Sequence, residues 1–295
     1  MKHKFIFLLI IISFSISNAQ WVQTSGPYGG TVNIFVVSGS NLFIGTGGAG
    51  TNSGGVFLSL NNGTSWTEVS NGLNNKVIKA LAVSGNNLFA GTESDGVFFS
   101  TNNGASWTAV NNGLTNKSVN ALAAYENNIF VGTSSGVFLS TNNGTNWTAV
   151  NNGLYNKDVI TFLISGNKIY AGTSSGSFGG VYLSTNNGTN WTLIGLGGKE
   201  ITALALLDTN LFAGTYGQGV WHYQGGTSWY SASSQLSNSY VRSFAVRDTN
   251  LFVATSDDVY VSINLGMNWT AINNGLPTTV RALNVLGNNL FAGHT

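Results

Sequence analysis

Cysteine is absent from the 295 residues, proline occurs only twice, and 7% of the side chains are charged, where an ordinary globular domain has roughly 25%. Without cysteine no disulfide framework is possible, so the fold must be held by packing and hydrogen bonds alone. A formal net charge of +1 supplies no electrostatic footprint for nucleic acid or an acidic polymer. What the chain has instead is 42% hydrophobic and 12% aromatic residues and 39 glycines. That is enough apolar material for a large core, which excludes disorder from polar bias.

The first 19 residues read as a secretory signal peptide. Lys2 and Lys4 form a positive start, residues 5–14 an apolar stretch, and Ser17-Asn18-Ala19 a small-residue cleavage site before Gln20. The other reading is a membrane anchor, but the run is shorter than the roughly 20 residues a spanning helix needs. A domain over residues 20–295 is therefore expected to be exported, with no transmembrane segment once the leader is removed.

That domain is repetitive. The stretch LFAGTESDGVFFSTNNGASWTAVNNGL (residues 88–114) returns as IFVGTSSGVFLSTNNGTNWTAVNNGL (residues 129–154). A Trp following a tight turn stands at Trp66, Trp107, Trp147, Trp191, Trp229 and Trp269, a period near forty with four short apolar runs per unit. This predicts an all-β, seven-bladed β-propeller of four-stranded antiparallel blades. Seven inner-strand starts can be placed, at Val32, Ile78, Val119, Val159, Ile201, Val241 and Val280. Only six units run through to their Trp, so the last blade is expected to be incomplete. Its A and B strands would come from the C-terminus and its D strand from residues 21–24, with no sequence for strand C, as in a C-terminally truncated fragment. Blade stacking buries both faces of the inner strands, and small residues such as Ala80, Ala90 and Gly91 would let neighbours approach.

The turns carry a motif: Ser59, Asn61, Gly63 and Trp66; Ser100, Asn102, Gly104 and Trp107; Ser140, Asn142, Gly144 and Trp147; Ser184, Asn186, Gly188 and Trp191; Ser262, Asn264, Gly266 and Trp269. A decayed version, HYQGGTSW, runs from His222 to Trp229. The series resembles the Asp-box, or BNR repeat, of sialidases, sortilin-like receptors, some glycan hydrolases and photosystem-assembly propellers. The resemblance implies a turn between strands C and D, with the box Asp replaced by Asn throughout. Asn can still accept backbone N–H bonds and tolerate left-handed geometry, and the Asn-Gly that follows suits a two-residue hairpin turn. A structural role for these residues is expected. The uniform Asn-Gly series behind a leader is also similar to surface proteins of Bacteroidetes-like bacteria, which places the protein outside the cell or on its surface.

Catalysis finds little support. A sialidase implies three arginines for a substrate carboxylate and an Arg-Ile-Pro segment; the chain has three Arg in all, and neither Pro27 nor Pro277 lies in such a segment. A glycan hydrolase needs two carboxylates across the scissile bond. Glu93 with Asp95, and Asp257 with Asp258, lie in B-to-C loops but within single exposed turns. No His pair has metal-ligand spacing, and the Gly-rich stretch 47–55 lacks the Lys of a phosphate loop. No catalytic residue, metal or cofactor is expected. Cationic residues instead recur at the channel mouth: Lys79, Arg242 and Arg281 one position into strand A, and Lys117 and Lys157 in D-to-A loops. They could hold a carboxylate or sulfate, or be solvated side chains copied with the repeat. Arg242 and Arg281 fit the second reading less well. The expectation is a monomeric, non-enzymatic scaffold binding a protein or glycan through channel-mouth loops, with a glycan hydrolase or lyase as the alternative.

Overall fold

Six stretches of the chain each fold back on themselves into four antiparallel strands, and each stretch is one copy of the repeat. The computed structural model describes residues 7–10, 20–27, 30–47, 54–73, 76–237, 239–276 and 279–294. Ahead of the repeats come β1 (Phe7–Ile10) and β2 (Trp21–Gln23). The first blade is β3 (Thr31–Ser38), β4 (Asn41–Gly47), β5 (Gly55–Ser59) and β6 (Thr67–Glu68). The second is β7 (Ile78–Ser84), β8 (Asn87–Thr92), β9 (Val97–Ser100) and β10 (Thr108–Ala109). The third is β11 (Val119–Tyr125), β12 (Asn128–Thr133), β13 (Gly136–Ser140) and β14 (Thr148–Ala149). The fourth is β15 (Val159–Ser165), β16 (Lys168–Thr173), β17 (Val181–Ser184) and β18 (Thr192–Gly195). The fifth is β19 (Ile201–Leu207), β20 (Asn210–Thr215), β21 (Val220–Gly225) and β22 (Ser228–Ser231). The sixth is β23 (Val241–Arg247), β24 (Asn250–Thr255), β25 (Val259–Ser262) and β26 (Thr270–Ala271). Two strands follow, β27 (Val280–Leu286) and β28 (Asn289–His294).

The expectation of seven repeated blades, the last lacking a strand, is corrected by this topology. Six blades of four strands are built by the repeat, not seven. The two ends of the chain meet in a composite sheet of order β2-β1-β28-β27. Its third position is not vacant: Phe7–Ile10 runs antiparallel to β28, with Leu8 opposite Phe291, and β2 pairs with β1 rather than with the C-terminal strands. The physical reason is that an unpaired edge of β28 would leave a row of N–H and C=O groups open, and an apolar run can supply the missing ladder. The expected signal peptide otherwise falls on residues outside those described.

Packing between blades makes the core. Every second strand is buried along its length, as in β8, β12, β20 and β28, and apolar clusters span neighbouring blades: Phe43, Val56 and Leu73 pack with Ile78, Leu88 and Trp107. Close approach requires glycine where the sequence has it. A Cβ added to Gly132 would lie 2.7 Å from Val159 Cγ1, and one on Gly172 would lie 2.7 Å from Ile201 Cγ2.

The turns from third to fourth strand are closed by side chains. Ser100 Oγ donates to Asn102 Oδ1 (2.9 Å) and accepts from the Gly104 N–H (3.0 Å), while Asn102 Oδ1 also accepts from the Ser106 N–H (3.0 Å). The same bonds recur at Ser59, Ser140, Ser184 and Ser262. Asn103 and Gly104 both have positive φ, 53° and 81°, which explains Asn-Gly there. The fifth blade departs from the pattern: His222 pairs with Phe212, where Phe99 pairs with Phe89 in the second blade, so this turn is one residue shorter.

Each turn Trp then reaches back to the preceding blade. The indole N–H of Trp107 donates to the Val69 carbonyl (2.8 Å), Trp147 to Val110 (2.7 Å), Trp191 to Val150 (2.8 Å), Trp229 to Ile194 (2.9 Å) and Trp269 to Ala232 (2.8 Å). Trp21 makes the same bond to the Ile272 carbonyl. In each case the acceptor lies three residues after the preceding Trp. That offset from Trp21 lands on Thr24, and there the series stops: Trp66 Nε1 is buried with no hydrogen-bond partner. Replacing Trp147 with Phe leaves a partly buried carbonyl unsatisfied and is expected to cost about 1–3 kcal/mol, whereas Trp66→Phe removes no bond and should cost less by a similar amount. Chemical denaturation of the two variants checks the difference; equal losses would contradict it.

Candidate functional site

A β-bulge sits at one place in every first strand. Ladder pairing passes from Val32 to Ile34, from Ile78 to Ala80, from Val119 to Ala121 and so on to Val280 and Ala282, skipping one residue each time. The skipped residues are Asn33, Lys79, Asn120, Ile160, Thr202, Arg242 and Arg281. A bulge leaves its extra residue unpaired and re-aims the side chain, and here all seven line one cavity of about 250 Å³ formed by the inner strands.

The neutral polar members of this ring bind the neighbouring strand. Asn33 Nδ2 donates to the Ile78 carbonyl (2.9 Å), Asn120 Nδ2 to the Val159 carbonyl (3.1 Å) and Thr202 Oγ1 to the Val241 carbonyl (2.7 Å). Lys79 forms an ion pair with Glu93 at 3.1 Å. The two arginines are different. Neither belongs to an ion pair among the described residues, and the buried Nε of Arg242 has no hydrogen-bond partner. The Arg281 guanidinium is pushed below its ordinary range, first by burial and second by the charge of Arg242. Two guanidinium groups in one another's field with no acid between them form a site short of an anion.

A second cavity of about 250 Å³ adjoins the pair and adds Tyr216 and Tyr240 to Lys79, Arg242 and Arg281. The tyrosine rings meet edge to face, centroids 4.7 Å apart, and an isolated β-bridge joins their backbones. Both rings are well exposed, Tyr216 at 61%. Sequence reasoning missed this pair because both residues lie in connecting loops, outside the repeated strands. The only signal is that two aromatics stand where other blades have small polar residues at the corresponding loop positions, Ser134 and Ser118 among them.

Other expected residues are placed elsewhere. Lys117 and Lys157 are exposed in their loops and do not line either cavity. The candidate carboxylates have local partners: Glu93 is paired with Lys79 and Asp95 with Lys76 (3.1 Å). Asp258 accepts from the Tyr260 hydroxyl (2.9 Å) and from Asn273 Nδ2 (2.8 Å). Arg247 donates to the Asn288 carbonyl (2.8 Å) beside the turns joining first and second strands, away from the channel arginines. The described residues contain no cluster of three metal-ligating side chains and no helix long and apolar enough to cross a membrane. Residues 48–53 of the Gly-rich stretch, and Pro277, lie outside those described.

A family described as the DUF6242 beta propeller domain matches residues 31–158. No curated protein matches the chain. Among solved structures, the chain is similar to the GH74 enzyme of Niastella koreensis, with TM-score 0.72 and 19% identity over 90% of this chain and 51% of that one. It thus spans about half the length of that enzyme. YCF48 from Cyanidioschyzon merolae gives TM-score 0.70 and 15% identity over 94% of this chain and 99% of the other. PorZ, described as a bacterial surface component of the type-IX secretion system of Porphyromonas gingivalis, gives 0.66 and 14% over 94% and 49%. Identities this low establish a shared β-propeller fold.

The fifth blade contains a pH-sensitive contact. His222 is buried, stacked on Phe212 at 4.4 Å, with Nε2 3.0 Å from Asn210 Oδ1 and Nδ1 facing the Tyr230 hydroxyl. Burial pushes its pKa down from the ordinary 6.5, so below about pH 6.5 the unfolded chain binds a proton more readily than the folded one. The contribution is therefore complete above that pH and is lost as pH falls toward the folded value. Melting temperature should drop between pH 7.5 and 5.0, and His222→Phe, which installs the aromatic found at this strand position in the second blade, should reduce the drop. An unchanged pH dependence in the variant would contradict this.

Proposed function

We propose that the protein is an exported, non-enzymatic propeller scaffold, acting as a monomer, that holds a protein or glycan partner by an anionic group at the channel mouth. One observation carries the proposal: Arg242 and Arg281 line a cavity with no acidic partner among the described residues, and the Nε of Arg242 is buried without a bond. A carboxylate or sulfate entering there would accept charge-assisted hydrogen bonds from both guanidinium groups. It would also offset their mutual repulsion. Tyr216 and Tyr240 offer an apolar wall beside the charge, which suits the ring of a sugar or the side chain of a peptide. Lys117 and Lys157, exposed on the same rim, add to the attractive potential without fixing a geometry.

Export rests on the leader reading of residues 1–19, and the turns are read as Asn-substituted Asp-boxes whose role is to hold the blades. The fold shared with a glycoside hydrolase keeps a glycan-active enzyme as the competing function. The candidate carboxylates Glu93, Asp95 and Asp258 already serve ion pairs and turn hydrogen bonds, which favours the binding role.

Binding to a panel of uronate-containing and sulfated oligosaccharides, and of peptides with free C-terminal carboxylates, tests the proposal. Arg242→Ala or Arg281→Ala should each weaken the captured ligand by about tenfold or more, and affinity should fall with added salt. Ligand retention in the double variant would overturn the site. Turnover of a glycoside by the unsubstituted chain, lost in Glu93→Gln or Asp257→Asn, would overturn the non-enzymatic reading.

A further inference from the structure

Register shows what belongs in the third position of the composite sheet. In five of the six complete blades a Ser ends the third strand opposite the first apolar residue of the second strand: Ser59 opposite Leu42, Ser100 opposite Leu88, Ser140 opposite Ile129, Ser184 opposite Ile169 and Ser262 opposite Leu251. The residues before it are aliphatic or aromatic, as in Val56-Phe57-Leu58-Ser59 and Val259-Tyr260-Val261-Ser262. In the composite sheet the residue opposite Leu290 is Leu9. So β1 matches the repeat at Phe7 and Leu8 and fails at the position whose hydroxyl ties down the following turn. Residues 11–20 carry no Asn-Gly either.

A second observation lies at the same seam. Trp66 packs with Phe291 and Ala282 of the composite sheet, and its indole N–H is the one in the ring of turn tryptophans that is buried with no acceptor. Its counterparts each find a carbonyl three residues beyond the preceding Trp. The fifth blade also lacks the Ser but keeps its bond from Trp229 to the Ile194 carbonyl, so among the described residues the strand and the inter-blade bond depart together at this junction alone.

We propose that the position between β28 and β2 is a strand-acceptor slot. Phe7–Ile10 occupies it as a placeholder, and its ligand is an extended, uncharged strand of a partner protein with the pattern Val-aromatic-aliphatic-Ser. The flanking strands define that chemistry. The segments Asn289–His294 and Trp21–Gln23 carry no Asp, Glu, Lys or Arg, and β28 is buried at Leu290, Phe291 and Ala292. A charged residue in the middle of the incoming strand would lie beside the buried Phe291 and Ala292 of β28, whereas main-chain hydrogen bonds to β28 and β2 supply affinity for any strand of the right pattern. The residues holding the slot are also those that read as a leader core, so removal of the segment ending at Ala19 would open it.

The test uses the chain with residues 1–19 in place. In Leu8→Pro the proline removes an N–H from a strand paired on both sides, which a sheet interior does not tolerate, so β1 should leave. This variant should bind a fluorescent Gly-Val-Phe-Leu-Ser-Thr peptide at least about tenfold tighter than the unsubstituted chain does, and about tenfold tighter than it binds the same peptide with Lys in place of Phe. Equal affinity for the two peptides, or no binding by a variant whose circular dichroism is native, would overturn the slot. Self-association of the variant that the peptide displaces would overturn the assignment to a separate partner. Should the variant fail to fold, hydrogen exchange on the unsubstituted chain decides: with millimolar peptide, amides of residues 7–10 should exchange faster while those of 290–293 stay protected. No change at residues 7–10 would refute the proposal.

Discussion

The hydrogen bond from a turn Trp to a carbonyl of the preceding blade is the contact on which the ring depends. Strand ladders hold each blade together, but they stop at the blade's edge, and stacked blades could slide over one another if apolar packing alone joined them. A directed N–H···O=C bond of 2.7–2.9 Å at five repeat junctions fixes their relative position. It works because the acceptor is a partly buried carbonyl at the end of a two-residue to four-residue outer strand, where the ladder supplies no further partner. The Ser-Asn-Gly turn has its value in placing the Trp. Ser closes the turn, Asn and Gly supply left-handed geometry, and the indole emerges at a constant height on the blade. One sequence unit therefore encodes the strand, the turn and the attachment to its neighbour.

This local encoding explains which parts of the fold were legible from the sequence. Period, strand order and the place of each turn follow from the Trp spacing and the Asn-Gly pairs, and the starts of β7, β11, β15, β19, β23 and β27 fall where the apolar pattern puts them. The repeat could not specify how the ends meet. A short apolar run such as Phe-Leu-Leu-Ile is equally suited to a leader core and to a buried strand, and only the ladder offered by β28 distinguishes them. The blade count was miscounted for the same reason: inner-strand starts continue once beyond the last unit that completes itself.

The site was legible in part. Arg242 and Arg281 stand at the repeat position that carries Asn33, Asn120 and Thr202, so alignment of the units places them together. What alignment does not show is that this position is bulged, because a bulge depends on pairing between strands rather than on a residue type. The bulge is what turns a strand residue into a channel residue. Lys79 illustrates the opposite error. By sequence it is equivalent to the arginines, yet Glu93 sits 3.1 Å away and neutralises it; Glu93 belongs to a loop whose length and composition vary from blade to blade.

The contrast between these three cations bears on why a uniform repeat can still carry a specific site. Three of the seven ring positions, Asn33, Asn120 and Thr202, are occupied by side chains that bond to the next inner strand, and such residues strengthen the ring while remaining indifferent to solutes. Replacing two adjacent members with arginine forfeits those bonds: Arg242 Nε is left unsatisfied and Arg281 bears its neighbour's repulsion. A buried donor without an acceptor costs on the order of 1–3 kcal/mol, and like charges in a partly desolvated cavity add to that. The strain is confined to two neighbouring inner strands and would be relieved by any group that brings negative charge and two acceptor oxygens, so the asymmetry of the ring and the chemistry of the proposed ligand share one physical cause.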